Sequence, residues 1–136
     1  QFLHNVLNKK PIELVDGGLQ TRCFVYIDDG IDCLIRIINN ENGCATRGIF
    51  NIGNPQENYS IAQLAQFVKE AIATFEPSLV QTIEIKSVSA EAHYGSAYQD
   101  IERRVPSIKE AQTKLGWTPK TTVREALKFI LYCFCN

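Results

Sequence analysis

An α+β fold of three or four short strands and four helices is predicted for this chain by three features of its sequence. Ser60-x-x-Gln63, Ser107-x-x-Glu110 and Thr122-x-x-Glu125 each place a hydroxyl three residues before an amide or carboxylate, the reciprocal pattern that closes a helix N-terminus. Short apolar runs at 12–15 and 48–53 lie between turn-forming residues and read as strands. Strands and helices do not alternate regularly, so the chain does not build a nucleotide-binding βαβ sheet by itself.

Apolar spacing at Phe2, Leu3, Val6 and Leu7 predicts a helix that stops before Pro11, because the residue preceding a proline avoids the helical region. A strand follows at 12–15, then a turn at Asp16-Gly17-Gly18 and a second strand at 22–27 with Cys23, Val25 and Ile27 on one side. These two strands are expected to form a hairpin. Asp28 or Asp29 caps a helix to about residue 39, with Ile31, Leu34, Ile35 and Ile38 as its buried stripe. A polar loop at 40–46 leads into the buried strand at 48–53, which ends at the Gly53-Asn54-Pro55 breaker. The three capped helices span 61–75, 108–115 and 123–134, and 82–88 is a further strand. On the last helix Val123, Ala126, Leu127, Ile130, Leu131 and Phe134 form a core-like face, and its apolar end at 132–135 is expected to dock on something.

Composition narrows the functional classes. The 136 residues suit one domain, and 14 Lys+Arg against 15 Asp+Glu leave a net charge of -1. A chain so balanced lacks the basic surface that binding to a phosphate backbone requires, which argues against nucleic acid as a partner. No apolar run approaches the roughly 18 residues of a spanning helix, which argues against a membrane. The 5 cysteines form no C-x-x-C pair and His4 lies far from His93, so no metal site is expected. Their odd number fits reduced thiols in the cytoplasm, each read as a small core hydrophobe. The chain has no G-x-G-x-x-G, no P-loop and no export signal. It contains no Met and begins inside a helical pattern, which predicts a piece of a longer protein.

Two constellations carry possible chemistry. In Asp16-Gly17-Gly18-Leu19-Gln20-Thr21-Arg22, the glycines allow close backbone approach to a ligand and the guanidinium matches a pair of phosphate oxygens. The same run also reads as a hairpin turn with one solvent-facing arginine. In the segment 94–106, Tyr94 and Tyr98 can stack on a base or bond a sugar hydroxyl, and Arg103 and Arg104 can hold a carboxylate or pyrophosphate. A surface loop whose arginines pair with Asp100 and Glu102 is the competing reading. Asp28 and Asp29 form a carboxylate pair, but their position before a helix fits capping better than acid/base work.

The order of D-G-G-x-Q-x-R-C-F-x-Y-I-D-D-G at 16–30, F-N-I-G-N-P at 50–55, R-R-V-P-S-I at 103–108 and L-G-W-T-P at 115–119 resembles the C-terminal half of extended short-chain dehydrogenase/reductases that act on nucleotide sugars. The stretch from Tyr94 to Ile108 looks more narrowly like the UDP-glucuronic acid decarboxylase domain of bifunctional polymyxin-resistance proteins. The resemblance runs from Phe2 to about Ile130. It implies a small substrate-binding lobe that lacks most of the Rossmann domain, from a cytoplasmic homo-oligomer of the lipid A aminoarabinose pathway.

In that family NAD oxidises the C4 hydroxyl of UDP-glucuronate, and the keto acid then loses CO2 to give a UDP-4-keto-pentose. By resemblance Asp16, Gly17, Gly18, Gln20 and Arg22 line the UDP group, Tyr98 binds the nucleotide sugar, and Arg104 matches the arginine assigned as proton donor. A guanidinium is a poor acid at neutral pH, so Arg104 is expected instead to hold the substrate carboxylate or to orient a proton-donating water. Glu13 stands where the family carries a lysine that touches substrate. The resemblance implies that NAD is bound by the missing N-terminal half and that this piece alone is inactive. A nucleotide-sugar epimerase, a UDP-xylose synthase and a non-catalytic assembly module with its interface at 129–135 remain as alternatives.

Overall fold

Ile12–Val15 (β1) pairs in parallel with Ile85–Val88 (β4), in the register Ile12 to Ile85 and Val15 to Val88. The expected hairpin between 12–15 and 22–27 is therefore corrected. Asp16, Gly17 and Gly18 all take left-handed backbone angles in a 3-10 turn, and this turn sends the chain away from β1 instead of folding it back. The computed structural model describes residues 1–91 and 101–135. The expected helices are present, and the class is a mixed helix and small-sheet fold.

After β1 come β2 (Thr21–Cys23), β3 (Asn58–Ser60), β4 and β5 (Arg103–Arg104). The second sheet has the order β3-β2-β5. The helices are α1 (Phe2–Leu7), α2 (Ile27–Asn39), α3 (Ile61–Phe75), α4 (Lys109–Leu115) and α5 (Val123–Cys135). The chain divides into two compact units. One comprises Gln1–Arg22, Tyr59–Arg103 and Leu127–Asn136, and the other Cys23–Asn58 and Arg104–Ala126.

In the first unit, α3 packs on β1 and α1. Its buried positions Ala65, Val68 and Ile72 follow the spacing of one helical face, and Val6, Ile12, Leu14 and Leu131 are buried in the same unit. Each large aliphatic buried this way contributes about 1.5–3 kcal/mol. Ser60 accepts from the Gln63 N–H while Gln63 Oε1 accepts from the Ser60 N–H, so the predicted capping box starts α3. Thr122 and Glu125 form the same reciprocal pair before α5.

The second unit is built on Trp117, which is 1% exposed among Cys33, Ile108, Ala111 and Leu115. Burial pushes the Cys33 thiol above its ordinary range, and the Asp32 carboxylate adds to the rise. Four expectations are corrected in this unit. Helix α2 starts at Ile27 with Tyr26 extended at its cap position, and neither Asp28 nor Asp29 caps it. Asp29 instead faces the 115–121 connection, as described below.

The stripe Ile31, Leu34, Ile35 and Ile38 is not the buried face of α2, since Ile38 is 78% exposed while Cys33 is fully buried. Amphipathic spacing identifies an apolar face without saying which side meets the core. Residues 48–53 form no strand, because no other described strand pairs with them. Phe50 and Ile52 still pack on the Trp117 cluster, while Ile49 is 88% exposed. Ser107 does not cap α4 either. Ile108 holds that position, and the Ser107 carbonyl accepts from Asn51 Nδ2 at 3.0 Å.

Candidate functional site

The turn at 16–22 is anchored on two sides of its own unit. Asp16 has φ 47°, a conformation that Asp tolerates better than most residues, and its Oδ1 accepts the Ala90 N–H at 3.0 Å. The Gly17 N–H donates to Ser87 Oγ at 3.1 Å. On the other side the Gln20 carbonyl accepts the Ile61 N–H at 3.1 Å, at the start of α3. A Cβ on Gly18 would stand 2.9 Å from the Ala62 nitrogen and 3.3 Å from Leu14 Cδ2, whereas one on Gly17 would meet nothing within 4 Å. Gly17→Ala is therefore expected to cost about 1 kcal/mol, from its positive φ alone. Gly18→Ala adds a backbone clash and is expected to cost about 3 kcal/mol. Equal losses in urea denaturation would contradict the close approach at Gly18.

Arg22 sits in β2. Its Nη1 donates to the main-chain carbonyls of Thr21 at 2.8 Å and Ile101 at 2.9 Å. The Thr21 N–H donates to the Glu102 carbonyl at 2.8 Å. The segment 16–22 is thus hydrogen-bonded both to Ser87 and Ala90 and to Ile101 and Glu102. Asp16, Gly17, Gly18, Gln20 and Arg22 are brought together as one turn, with Gly18 spent on packing. Tyr98 lies outside the described residues. Arg104 is exposed in β5 and is assigned to the second unit. Glu13 lies in β1 with Lys86 as its register partner.

Within the second unit, the motifs at 50–55 and 103–108 meet. A Cβ on Gly53 would stand 2.7 Å from Pro106 Cγ, so only glycine lets the two chains touch. Beside this contact is a cavity of about 350 Å³ lined by Asn54, Gln56, Ser107, Lys109, Gln112 and Thr118 among others. Arg104 is not in its lining.

The L-G-W-T-P motif is held to α2. Trp117 Nε1 donates to the Asp29 carbonyl at 2.9 Å, and Asp29 Oδ2 accepts the N–H groups of Lys120 at 3.1 Å and Thr121 at 2.8 Å. Arg36 Nη1 donates to the carbonyls of Leu115 and Gly116. Sequence reasoning missed Ser87, Asp29 and Arg36 as organisers, since each acts on backbone far along the chain.

Among the described residues no group of three His, Cys, Asp or Glu could hold a metal ion, and no helix is long and apolar enough to cross a membrane. The glycine turn after β1 does not fit a dinucleotide either. Its glycines, Gly17 and Gly18, are adjacent and do not have the G-x-G-x-x-G spacing of a dinucleotide cradle.

The mixed helical and small-sheet fold is that of part of an extended short-chain dehydrogenase/reductase. Residues 1–53 match the NAD dependent epimerase/dehydratase family. Over its full length it is 39% identical to the bifunctional polymyxin resistance protein ArnA of Wigglesworthia glossinidia brevipalpis, of which it spans 21%. Among solved structures it is similar to the PbgP3 protein from Burkholderia pseudomallei, with 37% identity and a TM-score of 0.84 over 98% of this chain and 37% of that one. The UDP-glucose 4-epimerase of Thermotoga maritima shares the fold, at 23% identity and a TM-score of 0.68 over 98% of this chain and 38% of that one. The chain therefore spans about a fifth of the curated relative and somewhat over a third of these solved ones.

Proposed function

We propose that this chain is the UDP-sugar-binding part of an NAD-dependent UDP-glucuronate decarboxylase that releases CO2 and a UDP-4-keto-pentose. The observation that carries the reading is the 39% identity to ArnA over the whole chain, because it spans every motif described above. In this reading Arg22 and the 16–20 turn hold the diphosphate, Tyr98 contacts the nucleotide sugar, and Arg104 meets the substrate carboxylate. A guanidinium presents paired N–H donors matched to carboxylate and phosphate oxygens, so both arginines suit these roles. In this reading NAD, which takes up the hydride in this chemistry, is held by an N-terminal half of the intact protein.

The test is the intact protein incubated with UDP-glucuronate and NAD+. The expected products are CO2, NADH and a UDP-4-keto-pentose in equal amounts. A reduced UDP-pentose without net NADH would make the protein a UDP-xylose synthase, and a UDP-hexose epimer would make it an epimerase. Arg22→Ala is expected to weaken UDP binding by roughly 10- to 100-fold in calorimetric titration, the scale of a charge-assisted contact. Unchanged affinity would remove Arg22 from the phosphate site.

A further inference from the structure

An acidic side chain in a turn that holds a diphosphate is electrostatically unfavourable, yet Asp16 opens this one. Its geometry resolves the conflict. The Asp16 carboxylate accepts from the backbone N–H of Ala90, and the next residue, Gly17, donates to Ser87 Oγ. Two adjacent residues of the turn are thereby tied to two residues at and just beyond the end of β4. The bonds span 74 and 70 positions of sequence. Asp16 also keeps φ at 47°, a conformation in which a glycine would be easier, so the carboxylate offsets a local backbone cost.

We propose that Asp16 is a positioning residue. Through Ala90, and with Ser87 acting on Gly17, it sets the path of the turn that carries Gln20 and Arg22, and its carboxylate makes no contact with the ligand. This rests on the reading of that turn as the diphosphate site. What matters at position 16 is a hydrogen-bond acceptor in a left-handed conformation, not a negative charge. Asn meets both requirements, and Gly meets only the second.

The experiment compares Asp16→Gly, Asp16→Asn and Arg22→Ala in the intact protein, with UDP as the probe in calorimetric titration and thermal unfolding measured alongside. Asp16→Gly is expected to weaken UDP binding about fivefold, the loss of one modest hydrogen bond, with little change in melting temperature because glycine relieves the backbone. Asp16→Asn is expected to restore affinity to within about twofold of the parent. A loss in Asp16→Asn as large as in Asp16→Gly would show that the charge itself acts on the ligand and would overturn the proposal. Full affinity in Asp16→Gly while Arg22→Ala binds weakly would overturn the positioning role and leave the diphosphate reading standing. Full affinity in both would end the diphosphate reading and the proposal with it. Should Asp16→Gly fail to fold, Ser87→Ala removes the neighbouring anchor and is expected to weaken UDP binding, with Ser87→Thr as its rescue. A Ser87→Ala protein with parental affinity would overturn the proposal.

Discussion

Trp117→Ala is expected to lower the unfolding free energy by about 5 kcal/mol, read as a fall in the urea midpoint of the intact protein followed by circular dichroism. Removing a fully buried indole costs about 3–5 kcal/mol through lost burial and the cavity left behind. Its Nε1 also satisfies the Asp29 carbonyl, and an orphaned partner adds about 1 kcal/mol or more. Because domains are stable by only about 5–15 kcal/mol, this variant stands at the edge of folding. Trp117→Phe separates the two contributions. It keeps most of the apolar area among Ile108, Ala111 and Leu115 while losing the hydrogen bond, so a loss of about 2 kcal/mol is expected. A Trp117→Ala protein with an unchanged midpoint would show that this cluster does not hold the second unit together.

On the decarboxylase reading proposed above, Arg104→Ala is expected to lower kcat of the intact protein on UDP-glucuronate by about 100- to 1000-fold, with KM changed less than about fivefold. As CO2 departs, negative charge leaves the carboxylate and develops on the sugar. A guanidinium that follows this charge stabilises the transition state more than the bound substrate. Arg104→Lys keeps the positive charge but loses the paired donors, and a partial loss of about tenfold is expected. Steady-state kinetics decide the matter. A raised KM with normal kcat would make Arg104 a ground-state anchor, and unchanged kinetics would place it outside the reaction.

What the sequence made legible is what is local. The capping boxes at Ser60 and Thr122 could be read because both partners lie within three residues and the geometry follows from the helix itself. The Asp16-Gly17-Gly18 turn could be read because glycine marks a left-handed backbone. The parallel partner of β1 was not legible, since nothing near Ile12 specifies Ile85. Asp29 looked like a cap because aspartate before a helix usually is one, but its carboxylate is more fully used by the N–H groups of Lys120 and Thr121. Residues 48–53 have strand composition without a strand to pair with, and strand formation depends on a neighbour as much as on the residues. For the candidate site, residue types could be listed from the motifs. The anchors that shape it carry no signature: the main chain of Ala90 and Ile101 has none to show, and Ser87 Oγ meets a backbone N–H 70 positions away.

Neither compact unit is a continuous run of chain, and this sets the order in which a ribosome can complete them. All residues of the second unit have been synthesised once Ala126 is added, whereas the first still awaits Leu127 and Leu131. A nascent chain must therefore carry Ile12 unpaired until Ile85 has emerged, and it meets the entropy of closing a long loop before that contact gives any return. Synthesis from the N-terminus thus supplies every residue of the second unit before Leu127 and Leu131 of the first.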